Sequence, residues 1–585
     1  MRSSKHLLGL LIAVLALGVL GAAASAATGV TVGKFELRPE AGQEVNRDLP
    51  TTKSKSTAPR IVPAGASAIA SSNPGSSGFT GVTFKDHRDA DGGNQTSDTP
   101  PDQGLCAGNG FVVEPVNTTF SIYSNSGSVV GGPTSLTEFF TQQHEIDRTV
   151  DPPAFGPFLT DPRCYYDPDV KRFFMTILEL PFTPDGEFFN GRSDVLIAVS
   201  KSATPSTSRD DWSFFALNVT DAGGPSDDGS GNTMPDNPGC PCFGDQPLLG
   251  ADKYGLYITS NEFSTLGSEF NGAQIYAISK SALVGGTLKY QAFHGAPIPL
   301  AEGPAYSVQP ATSPTTGSWD TDNNGTEFML SALDFDATTD NRIAAWALTN
   351  TASLNDPTPS VNLAGPTIIS SETYGQPPNA EQMKGATPFG DALGEPEEQV
   401  ATNDDRMNQV VYAAGKLWSG VNTVIRTTNG ASSSTDRSGI AYFVVTPSTP
   451  SATSVAGSIA KQGYVALGNN DSVFYPSIAV NSSGRGVMTF SLSGHHYFPS
   501  AAYTTIDAVN GAGPVHLVAG GADPTDDISG YEAFGGDGVA RWGDYSAAVP
   551  SEDGSIWIAT EYIPGGFGFP DYLNNWGTWV GHVSP

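Results

Sequence analysis

The chain has 585 residues and a formal net charge of −31, with 29 Lys and Arg against 60 Asp and Glu. A field of that sign repels phosphate backbones and no basic cluster offsets it, so nucleic acid is excluded as a partner. With 67 Gly, 44 Pro and no sustained helical period, the composition excludes a helical bundle and points to short strands joined by turns, an all-β fold.

In chain order, residues 1–26 read as a secretory signal. Arg2 and Lys5 start it, Leu7–Leu20 is its apolar run, and Ala24-Ser25-Ala26 is a small-residue cleavage site. The run is too short for a stable membrane span, so a secreted, extracellular monomer is expected. Residues 27–78, rich in Ala, Ser, Thr and Pro, read as a flexible pro-segment or stalk, with the folded domain over 79–585. The four cysteines, Cys106, Cys164, Cys240 and Cys242, fit an oxidising compartment and allow three pairings. Cys240-Pro241-Cys242 is a tight step, so bonds from that pair to Cys106 and Cys164 are expected.

A strand–turn–strand pattern recurs from there on. It is degenerate at Asp102–Asn117 and clearer at Asp161–Glu179, Asp245–Glu262, Gln309–Asp334, Met407–Asn422 and Tyr475–Ser493. The last and best copy is Asp544–Glu561, with a tight Asp553-Gly554 turn. Most copies are followed by another alternating run, such as Asp194–Ser200, Ala273–Ser279 and Ile440–Thr446. A repeat of about 70 residues carrying about four strands is the signature of a propeller blade with long loops. The expected fold is therefore a single β-propeller of seven blades of antiparallel strands, closed by Trp576–Val583. Six or eight blades, or a tandem β-sandwich, are the alternatives.

The segments RWGDYSAAV, DGSIWIATEYI and NNWGTWVGHV at the C-terminal end, and TPPDQGLCAGNGFVVEPVN at the start of the repeats, resemble large secreted bacterial β-propeller proteins with a sialidase-like architecture. The resemblance covers most of residues 99–585 and implies the fold rather than an activity. Sialidases clamp a substrate carboxylate with three arginines. Arg163, Arg406 and Arg541 stand near the starts of copies, but the early Arg-Ile-Pro motif is absent from the repeats. The aspartate-box turn occurs once, shortened, at Ser551–Trp557.

Equivalent positions in the copies give two acidic sets. Asp161, Asp245 and Asp544 stand at first-strand starts, and Glu179, Glu262, Asp334 and Glu561 at second-strand ends. Carboxylates converging on one mouth need a cation, an arginine or raised pKa values, and hard oxygen ligands suit Ca²⁺. Asp161, Asp245 and Asp544 are accordingly the candidate metal ligands. Glu179, Glu262, Glu561, Asp544 and Arg541 are the candidate catalytic residues, and Asp161, Asp245, Asp334, Trp542, His495 and His496 the candidate ligand contacts. The expected role is a binding or scaffolding module for an extracellular glycan or protein. The alternative is a glycoside hydrolase or lyase using paired carboxylates at the mouth.

Overall fold

The computed structural model describes residues 62–181, 191–221, 242–264, 270–293, 300, 303–313, 317–333, 339–427 and 435–585. The proposed signal segment, Cys240 and Asp334 lie outside them. The architecture is all-β with a few short helices, such as Leu136–Thr141, and no helix among the described residues is long and apolar enough to cross a membrane.

Among the described residues the strands group into antiparallel four-strand units; four are separate sheets, and three are joined by parallel pairing of their first strands, with Pro63–Ala64, into one thirteen-stranded sheet. The first is Cys106–Gly108, Phe111–Val116, Thr119–Ser124 and Val129–Ser135; the second is Phe158–Asp167, Arg172–Leu180, Asp194–Ser200 and Trp212–Asn218. The third is Cys242–Ala251, Gly255–Ser264, Phe270–Ser279 and Tyr290–Phe293; the fourth is Gln309–Thr312, Thr326–Ser331, Asp340–Thr349 and Asn362–Tyr374. The fifth is Val410–Ala413, Lys416–Thr427, Arg437–Ser451 and Ser454–Val465; the sixth is Asp471–Val480, Arg485–Gly494, Tyr497–Asp507 and Gly511–Ala519. The seventh takes Ala547–Pro550, Ile556–Tyr562 and Gly577–Val583 from the C-terminal end, and its outer strand, Ser76–Thr83, from the other end of the chain.

Local chemistry sets the hairpins. Asn109-Gly110 and Ala414-Gly415, with both residues at positive φ in each case, make the two-residue turns whose twist suits adjoining strands. Alternation then buries both faces of each unit against its neighbours. Phe174, Val195 and Ile197 of the second unit pack on Leu249, Ile258 and Tyr276 of the third. Trp418 and Val444 of the fifth meet Ile478 and Phe490 of the sixth. The seventh unit's Trp557, Ala559 and Val580 pack on Leu105, Val112 and Tyr123 of the first. One sheet face is too small a core by itself, so stacking of units is what removes this apolar surface from water.

Two expectations are corrected. Cys106 is bonded to Cys164, joining the first strands of the first and second units across a Cα–Cα distance of 5.2 Å, so neither reaches Cys242. The strands bring these two positions side by side, a proximity that sequence separation does not reveal. Part of the expected stalk is also packed onto the sheets. Pro63–Ala64 pairs parallel with Arg426–Thr427 of the fifth unit. Ala70 donates to the Val515 carbonyl, and Val515 to that of Ala68, along the edge of the sixth. At the Asp320–Gly325 turn, Asn323 Nδ2 donates to the Thr449 carbonyl of the fifth unit at 2.7 Å.

Candidate functional site

The first strands of three units share one irregularity. At Asp161-Pro162, Gln246-Pro247 and Tyr475-Pro476, two residues stand opposite one on the neighbouring strand, making a bulge. Asp161, Gln246 and Tyr475 have φ of 57°, 49° and 56°, a left-handed conformation that costs a non-glycine residue about 1 kcal/mol. Asparagine side chains from the preceding unit hold this backbone. Asn117 Oδ1 accepts from the Asp161 N–H at 2.9 Å, and Asn422 Oδ1 from the Tyr475 N–H at 2.6 Å. Asn261 Oδ1 accepts in the same way from the N–H of Ser307, at φ 42°, at 2.9 Å.

This changes the expected equivalences. Asp161 corresponds to Gln246, and Asp245 lies one residue earlier, beside the bulge rather than in it. In the third unit the clamping residue is Asn261, not its neighbour Glu262, which side-chain alternation directs to the other face.

Carboxylates nevertheless gather where the first strands start. Asp102, at φ 43°, accepts from the Asp544 N–H at 2.7 Å and from Asn117 Nδ2 at 2.7 Å. Burial pushes the Asp102 carboxyl well above the usual range, and Asp544 and Asp161 add to the effect. Asp161 is raised in the same way by burial, then by Asp245 and Asp544, with Arg163 and the Tyr545 hydroxyl opposing. The Tyr545 hydroxyl donates to Asp161 Oδ1 at 3.3 Å, and Asn403 Nδ2 donates to Asp544 Oδ1 at 3.2 Å. Arg541 is held beside Asp544, and burial lowers its pKa while Asp544 opposes that shift.

The other arginines have separate settings. Arg406 makes a two-pronged ion pair with Asp404, at 2.8 and 2.9 Å, and donates from Nη1 to Gln246 Oε1 at 2.7 Å. Burial alone would raise Asp404, but the Arg406 charge and hydrogen bonds more than offset it, leaving its pKa below the ordinary value. Arg163 lies with its guanidinium carbon 3.3 Å from the centre of the Tyr545 ring. The three arginines thus do not form one clamp.

The second acidic set is dispersed. Glu561 is buried and accepts from the Gly543 N–H at 2.7 Å; burial raises it well above the ordinary range, with Asp102 and Asp527 adding. Glu179 stands opposite Asp194 in the second unit, and burial followed by that charge pushes it up to about 7. Glu262 is wholly buried in the third unit. Trp542 is buried among Val82, Phe474 and Trp576, with its indole N–H on Ser491 Oγ at 2.9 Å, a packing position with no ligand face. His496 is 59% exposed and lies 3.2 Å from Asp471; His495 adjoins it in the loop at the end of the sixth unit's second strand. Among the described residues no group of three or more His, Cys, Asp or Glu side chains is arranged to hold a metal ion. The expected Ca²⁺ set of Asp161, Asp245 and Asp544 does not fit one, because Tyr545, Asn403, Arg163 and Arg541 already supply donors and counter-charge.

Asp102, Tyr545, Asn403 and Asn261 were not singled out from sequence. Asn117 and Asn422 at corresponding second-strand ends were the available signal, and a one-residue shift in the third copy would have added Asn261.

No family model matches the chain and no curated protein matches it in sequence. Among solved structures it is similar to a protein of unknown function from Dyadobacter fermentans, at 11% identity over 73% of this chain and 95% of that one, with a TM-score of 0.35. It is also similar to Trypanosoma rangeli sialidase, at 10% identity and a TM-score of 0.31, covering 74% of this chain and 55% of that one. An endo-arabinase from Bacteroides thetaiotaomicron matches at 11% identity and a TM-score of 0.27, over 72% of this chain and 92% of that one. The chain spans about half the length of the sialidase it matches.

Proposed function

We propose that this chain is a secreted seven-bladed β-propeller, fastened by Ser76–Thr83, that binds an extracellular glycan at the mouth where the first strands start. The four-stranded units support the architecture, as do the contacts linking each to the next. Thr489 and Thr560 hydroxyls at 2.7 Å join the sixth to the seventh, and Gln103 Nε2 on the Tyr545 carbonyl at 2.8 Å joins the first to the seventh. The observation that carries the ligand reading is the gathering of Asp102, Asp161 and Asp544 with Arg541 and Asn403 at one end of those strands. Partly exposed Asp544, Arg541 and Asn403 offer acceptors and donors together, the pairing that sugar hydroxyls need.

One feature favours hydrolysis as a second reading. Burial raises the carboxyls of Asp102 and Asp161 well above the ordinary range, the direction a general acid needs, at the same mouth as Asp544. A glycan array combined with a reducing-end assay separates the two. Binding without sugar release supports the module; release that Asp544→Asn lowers at least tenfold supports the hydrolase. If a glycan binds and neither Asp544→Asn nor Arg541→Met weakens it, the mouth is not the site.

A further inference from the structure

Beneath the mouth the first strands of several units surround a cavity with about 680 Å³ of empty space, its open end included. Its walls mix the apolar side chains of Leu105, Leu249, Ala547 and Val549 with the polar Gln309, Thr312 and Gln409, and the Cys106–Cys164 bond forms part of one side. Arg163 is the charged side chain among the lining residues. Its guanidinium is fixed from behind by the Tyr545 ring, and Nε donates to the Pro247 carbonyl at 3.4 Å. Among the described residues its two Nη groups meet no acceptor.

Arg163 is partly exposed, and Nη donors that no protein group occupies are open to a ligand entering the cavity. The planar fork matches a carboxylate through two parallel hydrogen bonds. Asp161, which faces Arg163 electrostatically, does not make an ion pair with it and is itself raised by burial. The chain's charge of −31 disfavours a dianion such as phosphate.

We propose that this cavity binds a small aliphatic monocarboxylate, its carboxylate on Arg163 Nη1 and Nη2 and its alkyl end against Leu249, Ala547 and Val549. The cavity adjoins the glycan mouth, since Tyr545 contacts both Arg163 and Asp161, but the proposal does not rest on that reading.

Titration calorimetry of the mature protein with sodium acetate, propionate and butyrate at pH 7 tests it, with butyramide, phosphate and chloride at matched ionic strength beside them. Saturable butyrate binding is expected, at least tenfold tighter than any response to butyramide or phosphate. Arg163→Met should weaken it at least tenfold, while Arg485→Met, at an exposed position, should leave it unchanged. Ala547→Leu fills the cavity without touching the guanidinium and should also weaken binding tenfold, which decides the matter should Arg163→Met fail to fold. Butyrate binding no tighter than butyramide, or binding unaffected by Ala547→Leu, overturns the proposal.

Discussion

Replacing Glu114 by Gln should make the protein harder to unfold at pH 8 while changing little at pH 5. Glu114 is wholly buried in the seam between the first and seventh units. It accepts from the Val82 N–H at 3.1 Å and the Tyr123 hydroxyl at 2.9 Å, and from the Thr578 hydroxyl. Burial raises its pKa from 4.5 to about 7, against the lowering effect of those three bonds. A carboxyl with a raised folded pKa contributes stability that is fully present below 4.5 and is lost as pH rises through 7. A displacement of that size is worth about 3 kcal/mol between pH 4 and pH 8. Glutamine resembles the protonated acid in shape and charge and does not titrate, so the variant escapes the loss. Urea unfolding followed by tryptophan fluorescence at pH 5, 6, 7 and 8 measures the gap between the two proteins. Glu179 and Asp527, pushed up to about 7 and about 6, slope the same way in both proteins and cancel in that gap. A gap that stays constant from pH 5 to 8, or a variant weaker than wild type at pH 8, would refute the assignment.

Two further outcomes follow from the packing. Cys106→Ser with Cys164→Ser opens a loop of 58 residues and should cost about 3–4 kcal/mol, read as a lower urea midpoint that reducing agent reproduces in the wild type but not in the variant. Trp542→Phe leaves the buried Ser491 hydroxyl without its indole donor and should cost about 1–3 kcal/mol in the same assay; ligand affinity should be unchanged, since Trp542 faces a core.

The all-β character, the repeated hairpins and several strand bounds follow from local information. Asp194–Ser200 coincides with its observed strand, and the Met407–Asn422 copy turns at Ala414-Gly415, because alternation and left-handed turn residues act between near neighbours. The candidate site was legible only in part. Asp161, Asp544 and Arg541 were found as strand-start residues, yet the company they keep comes from chain segments hundreds of residues apart. Asp102 meets Asp544 through a backbone N–H, and Tyr545 reaches Asp161.

Burial decided the rest. A carboxylate in a repeat reads the same in sequence whether it is partly exposed, as Asp544 is, or enclosed, as Glu262 is. The one-residue bulge at Gln246-Pro247 shifts which side chain faces inward, and period alone does not announce it. By itself, the sequence determined a repeating strand protein of strongly acidic charge, because pattern and composition are local and additive. Only the tertiary structure decided that Cys106 bonds Cys164 and that Ser76–Thr83 joins the last unit. It also decided which carboxylates share a site, since each of these depends on the distance between residues remote in the chain.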